Sequence, residues 1–154
     1  MTHEAYLRKE TLISMLINGV LSLAFFLLVF GRSVSIPVWG LGNWVFDYLP
    51  QSFMITLMST LVPGALTAKR VKSGTLQPAP YNSRLPHSVV PRALVLAVIT
   101  APLGTIMIAL ASRLTGLEVI NWTPALILKV VYGVVLGAVV TPIGLRAALR
   151  PRKG

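Results

Sequence analysis

The sequence predicts an all-α fold, an integral membrane bundle of four transmembrane helices. Four long segments carry almost no charge, and each is long enough to span the hydrocarbon core of a bilayer, about 30 Å or about 20 helical residues. The chain of 154 residues is 55% hydrophobic and only 12% charged, whereas a soluble domain carries about twice that share of charge. A single transmembrane domain over residues 1–154 is therefore expected. The predicted spans are residues 11–31, 48–68, 93–111 and 121–145.

The first predicted span follows a short lead that contains Arg8 and Lys9. Such a lead could also belong to a cleaved signal peptide, but the apolar run of about 20 residues is longer than a usual signal-peptide core. No A-x-A cleavage site follows the span. We therefore expect the first helix to be retained, with the lead continuing into it.

Residues 32–47 connect the first two spans and combine Gly and Pro with aromatic side chains. Gly and Pro interrupt helices, while Trp and Tyr favour the headgroup level of a membrane. The favoured interpretation is an interfacial aromatic segment, and the alternative is a re-entrant loop that lines a pathway. The corresponding connection at 112–120 is short. The linker at 69–92 contains four prolines, which predict an extended conformation.

The distribution of charge predicts the orientation of the bundle. All but three of the 14 Lys and Arg residues lie in the lead, in the linker or after the fourth span. By the positive-inside rule, these segments and both termini face the cytoplasm of a bacterial-type inner membrane. The net charge of +10 is expected to attract anionic lipid headgroups at that face rather than nucleic acid.

The order of the parts predicts a tandem repeat of a two-helix unit, residues 11–72 and 92–150. In each half, a helix leads through a loop to a second helix that ends in proline, small residues and cations. Pro63 aligns with Pro142 at the same shift that aligns Ala68 with Ala147. Because each half contains an even number of spans, the halves would share one orientation, related by an axis along the membrane normal.

Each half also resembles a family of small two-helix bacterial inner-membrane proteins of unknown function. The resemblance lies in one span, a short loop that ends near Trp44 or Trp122, and a span that closes on Pro63 or Pro142. It covers most of each half. The resemblance implies the two-helix unit and the membrane, but no activity and no site residue.

Small or polar residues recur every four positions in each span, and residues four apart share one helical face. Such faces let membrane helices approach closely and exchange hydrogen bonds. We expect packing seams, and the alternative is a hydroxyl-lined path between the first two helices. The glycine face of the fourth span could instead contact another copy of the chain. The predicted packing residues are Gly133, Gly137, Thr141, Ala97, Ala101 and Thr105. The candidate polar or pathway residues of the first two spans are Asn18, Gln51, Thr56 and Thr60.

Lys129 is the only charged side chain inside the four predicted spans. It shares a face with Gly133 and should point toward protein, because a charge at the membrane centre costs roughly 2.5–3.5 kcal/mol on insertion scales. Asp47 and Glu118 are the candidate ion-pair partners. The alternatives are a side chain that snorkels to the interface and one that contacts an anion or substrate.

The residue types also argue against several functions. There is no cysteine, and His3 and His87 lie outside the predicted spans, so no cofactor or metal is expected. No Asp or Glu lies within a span, which counts against proton- or sodium-coupled exporters, and no catalytic triad or phosphate loop is recognisable.

The predicted function is a non-catalytic accessory or structural subunit that packs against itself, as a homo-oligomer, or against a membrane-protein complex. The alternative is a small permease or channel with a path lined by the first two helices and Lys129. An enzyme that acts on lipid is the least favoured interpretation.

Overall fold

The computed structural model describes residues 2–151, in which the order helix, strand, helix occurs twice. The helices are α1 (His3–Phe30), α2 (Tyr48–Lys72), α3 (Val89–Leu114) and α4 (Trp122–Leu149), and the strands are β1 (Ser35–Pro37) and β2 (Val119–Asn121). All four helices are long and apolar enough to cross a membrane. The predicted all-α four-helix bundle of an integral membrane protein is confirmed. Met1 and residues 152–154, which the predicted domain includes, lie outside the described residues.

The helices extend beyond the predicted spans where the chain carries positive charge. α1 begins at His3, so the predicted lead is helical, and the hydroxyl of Thr2 caps it by accepting a hydrogen bond from the Ala5 N–H at 3.3 Å. α2 continues to Lys72. α3 begins at Val89, before its predicted span. Pro91 does not prevent this start, because it lies in the first turn, where the N–H that proline lacks would have no partner within the helix.

The helices pack in an exchanged pattern. α1 lies along α4 and α2 lies along α3, while α2 and α4 contact each other at the centre. Helices of the same predicted half, α1 with α2 and α3 with α4, contact each other much less. The first helix of each predicted half therefore packs on the second helix of the other half.

A two-stranded antiparallel sheet joins the two connections at one end of the bundle, here termed the strand end. Ile36 of β1 pairs with Ile120 of β2, and both side chains are buried. Beyond β1 the chain turns back over the helix ends, where Val38 and Trp44 join an apolar cluster with Phe26. Residues 32–47 thus contain a strand. Its three residues are too few to show the alternation of apolar and polar side chains by which a strand is predicted from sequence.

The opposite end, termed the basic end, holds residues 2–10, 69–92 and 146–151. The linker there contains neither helix nor strand from residue 73 to residue 88, in keeping with its prolines. It is nevertheless attached to the bundle, since the Ala79 N–H donates to the Leu149 carbonyl at 2.9 Å. The basic end therefore has a defined surface rather than a loose loop.

Candidate functional site

A row of polar side chains lies inside the bundle, mostly between α1, α2 and α4. In a membrane such groups need partners within the protein, because lipid offers no hydrogen bonds. Most of these side chains are buried, and they are here termed the polar seam. Its members are Ser14, Asn18, Ser22, Asp47, Gln51, Ser52, Thr56, Ser59, Thr60, Lys129, Tyr132 and Thr141.

Lys129 lies where the seam meets the strand end, with only 1% of its side chain exposed. Its Nζ donates to Asp47 Oδ2 at 2.6 Å. The same nitrogen lies 3.8 Å from the ring centre of Tyr48 and 5.3 Å from that of Trp44, so cation–π attraction adds to the ion pair. Of the two predicted partners, the structure brings Asp47 to Lys129, whereas Glu118 is exposed.

The turn before α2 determines the position of Asp47. Gly40 has a φ of 107°, which side chains rarely adopt, and allows the chain to reverse. The Trp44 N–H then donates to the Pro37 carbonyl at 3.1 Å. Asp47 directly precedes α2 but makes no capping hydrogen bond, so its carboxylate remains available for Lys129.

Asn18 and Gln51 connect α1 to the other helices. Asn18 Nδ2 donates to Ser59 Oγ at 2.7 Å. Gln51 Nε2 donates to Ser22 Oγ at 3.1 Å and to the backbone carbonyl of Lys129 at 3.3 Å. Both candidate residues therefore make hydrogen bonds between helices, and Gln51 links three of the four.

The two threonine candidates of α2 face different helices. Thr56 Oγ1 lies 2.7 Å from the hydroxyl of Thr100 on α3. Thr60 faces α4, where its Cγ2 would lie 3.1 Å from a Cβ built on Gly144. The Thr60 hydroxyl has no hydrogen-bond partner among residues 2–151. These two candidates therefore point into different helix contacts.

The predicted packing face of α4 lies against α1. A Cβ built on Gly137 would lie 2.5 Å from Asn18 Nδ2, and one on Gly133 would overlap Ser22 Oγ. One turn beyond, Thr141 Oγ1 donates to Ser14 Oγ at 2.7 Å. The sequence left open whether an internal helix or another copy occupies this face, and in the structure α1 occupies it.

The small residues of α3 contribute unequally. Ala97 and Ala101 are buried, whereas Thr105 is half-buried and donates to the Ala101 carbonyl of its own helix at 2.9 Å. The closest approach occurs at Gly104, where an added Cβ would overlap the hydroxyl of Tyr132. Thr105 therefore makes no hydrogen bond to another helix.

Three features of the interior were not predicted. The rings of Trp44 and Tyr48 lie around Lys129, whereas the sequence places Trp44 in an interfacial segment and predicts no contact for Tyr48. Tyr132 Oη lies 2.5 Å from Ser52 Oγ, a contact between α4 and α2 that the sequence does not predict. Arg92 is fully buried, although it was counted among the cations for lipid headgroups. The feature of the sequence that could have indicated this burial is the position of Arg92 directly before the predicted span 93–111.

The fold and the seam together define a class, an integral membrane four-helix bundle whose interior polar groups largely bond one another. Within residues 2–151, no group of three or more His, Asp or Glu side chains is arranged to hold a metal ion. Comparison of the chain with protein families, characterised proteins and solved structures finds no match. The resemblance of each half to small two-helix proteins therefore stays a prediction.

Proposed function

We propose that this protein is a non-catalytic accessory or structural subunit of a bacterial-type inner membrane that acts through helix packing. The observation that carries the proposal is the ion pair between Lys129 and Asp47. Charged residues inside membranes commonly belong to transport paths or relays. Here the two charges neutralise each other at 2.6 Å, and we infer that the pair selects one arrangement of the helices, as buried ion pairs do in some proteins.

The hydrogen bonds of the polar seam support the same role. Asn18 bonds Ser59, and Thr141 bonds Ser14, so each of these contacts joins two different helices. Hydrogen bonds between membrane helices contribute about 0.6 kcal/mol each on average. The seam therefore aligns the helices more than it stabilises them, and side chains engaged in this way are not free to solvate a passing ion.

Cysteine-directed photocrosslinking in native membranes tests the proposal, because the chain has no cysteine of its own. Suitable positions are one exposed side chain on each helix: Leu16, Met58, Val98 and Val131. An accessory subunit should give a defined product, with another copy or with one partner, from one or two of these faces. Monomer alone from all four faces would refute the proposal, and so would the same diffuse products from each of them.

A small permease or channel is the second candidate, and a groove between α1 and α2 favours it. The groove has a volume of about 230 Å³ and is lined by Ser14, Asn18 and Ser59, by Glu10 at its basic end, and otherwise by apolar side chains. Gln51 Oε1, which lies toward the strand end of the same helix pair, has no partner among residues 2–151. Polar groups at a lipid-facing groove could guide a polar solute across the bilayer.

Solute flux into liposomes tests this second candidate. A path lined as the sequence predicts should lose flux in Thr56→Val and in Lys129→Ala. Thr105→Val is the matched control, since the Thr105 hydroxyl bonds only its own helix. Flux that is unchanged in both test variants would remove the assigned lining, whatever the solute.

We also propose that both termini and the linker are cytoplasmic and that the chain is a tandem repeat. The cations of the basic end support the orientation, through the positive-inside rule. The twofold helix, strand, helix order and the exchanged packing support the repeat. Reporter fusions at residues 84 and 116 test the orientation, because a cytoplasmic reporter should be active only at residue 84.

A further inference from the structure

A concave cavity of about 540 Å³ lies at the basic end, between the end of α2, the start of α3 and the end of α4. Four cationic side chains line it, and no Asp or Glu is among the described residues around it. Because like charges around one concave space reinforce each other, such a site attracts anions strongly. The four cations are Lys69, Lys72, Arg92 and Arg150.

Arg92 distinguishes this cavity from an ordinary basic surface. Its side chain is 0% exposed. The Nη1 atom donates to the carbonyls of Pro86 and His87 at 3.4 and 3.3 Å. The other two nitrogens, Nε and Nη2, have no hydrogen-bond partner among residues 2–151. These two nitrogens form one edge of the guanidinium, and that edge matches two oxygens of a phosphate.

No Asp or Glu side chain of the described residues forms an ion pair with Arg92. The chain contains four acids in all. Glu10 pairs with Arg70 at 2.8 Å and Asp47 pairs with Lys129. Glu118 lies at the strand end, and Glu4 accepts a hydrogen bond from the Tyr81 hydroxyl at 3.5 Å. Within residues 2–151, no counter-charge is therefore paired with Arg92.

Two further features favour an anion. Ser88 and Val89, at the start of α3, line the cavity. Among the described residues no side chain caps this helix, so the N–H groups of Val89 and Val90 can bind an anion. Arg150 donates to the Ser83 and Leu85 carbonyls, while its Nε has no partner among the described residues. Both arginines thus attach the linker with some nitrogens and leave others unpaired.

The geometry points to a phosphate-binding site in this cavity, centred on Arg92, with Lys69, Lys72 and Arg150 around it. The phosphate could belong to an anionic phospholipid or to a soluble phosphate ester, since both present the same oxygens. The cavity lies at the helix ends, where a bundle that spans a membrane meets the lipid phosphates. The site is independent of the role proposed above, because an accessory subunit and a permease could both use it.

Binding measurements on the purified full chain test the site. Native mass spectrometry would compare phosphatidylglycerol, phosphatidylcholine and soluble glycerol phosphate as probes. We expect Arg92→Gln and Arg92→Lys to weaken the preferred probe by roughly tenfold or more, since neither variant keeps the two-pronged edge. Arg84→Gln is the matched control, because Arg84 is an exposed cation of the same linker and its substitution removes the same charge.

A third variant guards against misfolding of the first two. A Cβ built on Gly64 would lie 3.2 Å from Arg92 Nη2, so Gly64→Ala displaces the guanidinium while its charge stays. It should also weaken binding, in a chain of unchanged charge.

The probes separate the possible sources of the phosphate. Selective loss of phosphatidylglycerol in the Arg92 and Gly64 variants identifies a lipid site, and loss of glycerol phosphate identifies a soluble ligand. Equal binding of every probe to wild-type, Arg84→Gln and all three test variants would overturn the proposal. In that case the arginines would only attach the linker to the bundle.

Discussion

Lys129 and Arg92 are both almost completely buried cations, yet the chain surrounds them differently. Lys129 has a carboxylate at 2.6 Å and three aromatic rings around its nitrogen. Arg92 has only backbone carbonyls on one nitrogen, with two nitrogens unpaired among the described residues. A buried cation therefore indicates an external ligand only where the chain does not supply the counter-charge.

The difference separates what the two ends of the molecule do. At the strand end, the charges of Lys129 and Asp47 neutralise each other. At the basic end, cations gather around a cavity with no acid among its described lining residues. Removing the counter-charge at the strand end should therefore destabilise the bundle, whereas adding an anion at the basic end should stabilise it.

The largest effect should come from Asp47→Ala, which leaves Lys129 buried without its partner. Removing one member of a buried ion pair costs about 3–5 kcal/mol. The free energy of unfolding in mixed micelles, measured by denaturant titration, should fall by that amount. The double variant Asp47→Ala, Lys129→Met should recover most of the loss, since no charge then remains. A loss of less than about 1 kcal/mol in Asp47→Ala, as for a surface pair, would show that Lys129 reaches solvent.

The ion pair between Lys129 and Asp47 shows how much of the site could be predicted from the sequence. Lys129 and its two candidate partners could be placed at one end from the spans and their order. The choice of Asp47 depends on the reversal at Gly40 and on the pairing of β1 with β2. These two features cannot be predicted from the sequence, because the pairing of two three-residue strands far apart in the chain leaves no periodic pattern of side chains.

Arg92 shows the opposite case. The sequence indicates a cation at the start of a span, and the same description fits Arg8 and Lys9, which are exposed. Its burial depends on the carbonyls of the linker and on the missing side chain at Gly64. The four spans could be predicted because apolar runs of about 20 residues are typical of membrane-spanning helices. The conformation of a linker without helix or strand, and therefore its contacts with Arg92, cannot be predicted from such a pattern.

The second prediction concerns stabilisation by an anion at the basic end. A ligand that binds only the folded state at 100 times its dissociation constant stabilises by about 2.7 kcal/mol. The ligand identified at Arg92 should raise the unfolding free energy of wild-type protein by this order. It should raise that of Arg92→Gln by no more than about 1.4 kcal/mol, because a tenfold weaker site is then at only about 10 times its dissociation constant. Lys129→Met should still respond to the ligand, because the strand end is remote from the cavity. A response lost equally in both variants would contradict the separation of the two ends.

Gly137→Ala should show that the closed interior near Lys129 depends on close contact between α1 and α4. The new Cβ would lie 2.5 Å from Asn18 Nδ2, and such overpacking typically costs about 1–3 kcal/mol. Val135→Leu, on the exposed face of the same helix, should change the unfolding free energy by less than about 0.5 kcal/mol. Equal effects of the two variants would mean that α1 can move away from α4 without cost.

The smallest effect should come from Ser59→Ala, midway along the seam between the two cations. It removes the acceptor of Asn18 Nδ2 and of the Ser14 hydroxyl, but Asn18 keeps a second acceptor in Ser14 Oγ at 3.2 Å. The unfolding free energy should therefore fall by only about 0.6 kcal/mol, the average for hydrogen bonds between membrane helices. Thr105→Val is the control and should have a smaller effect, since its hydroxyl bonds its own helix. A loss comparable to that of Asp47→Ala would mean that the hydrogen bonds of the seam, rather than the neutralised charge at one end, hold the bundle closed.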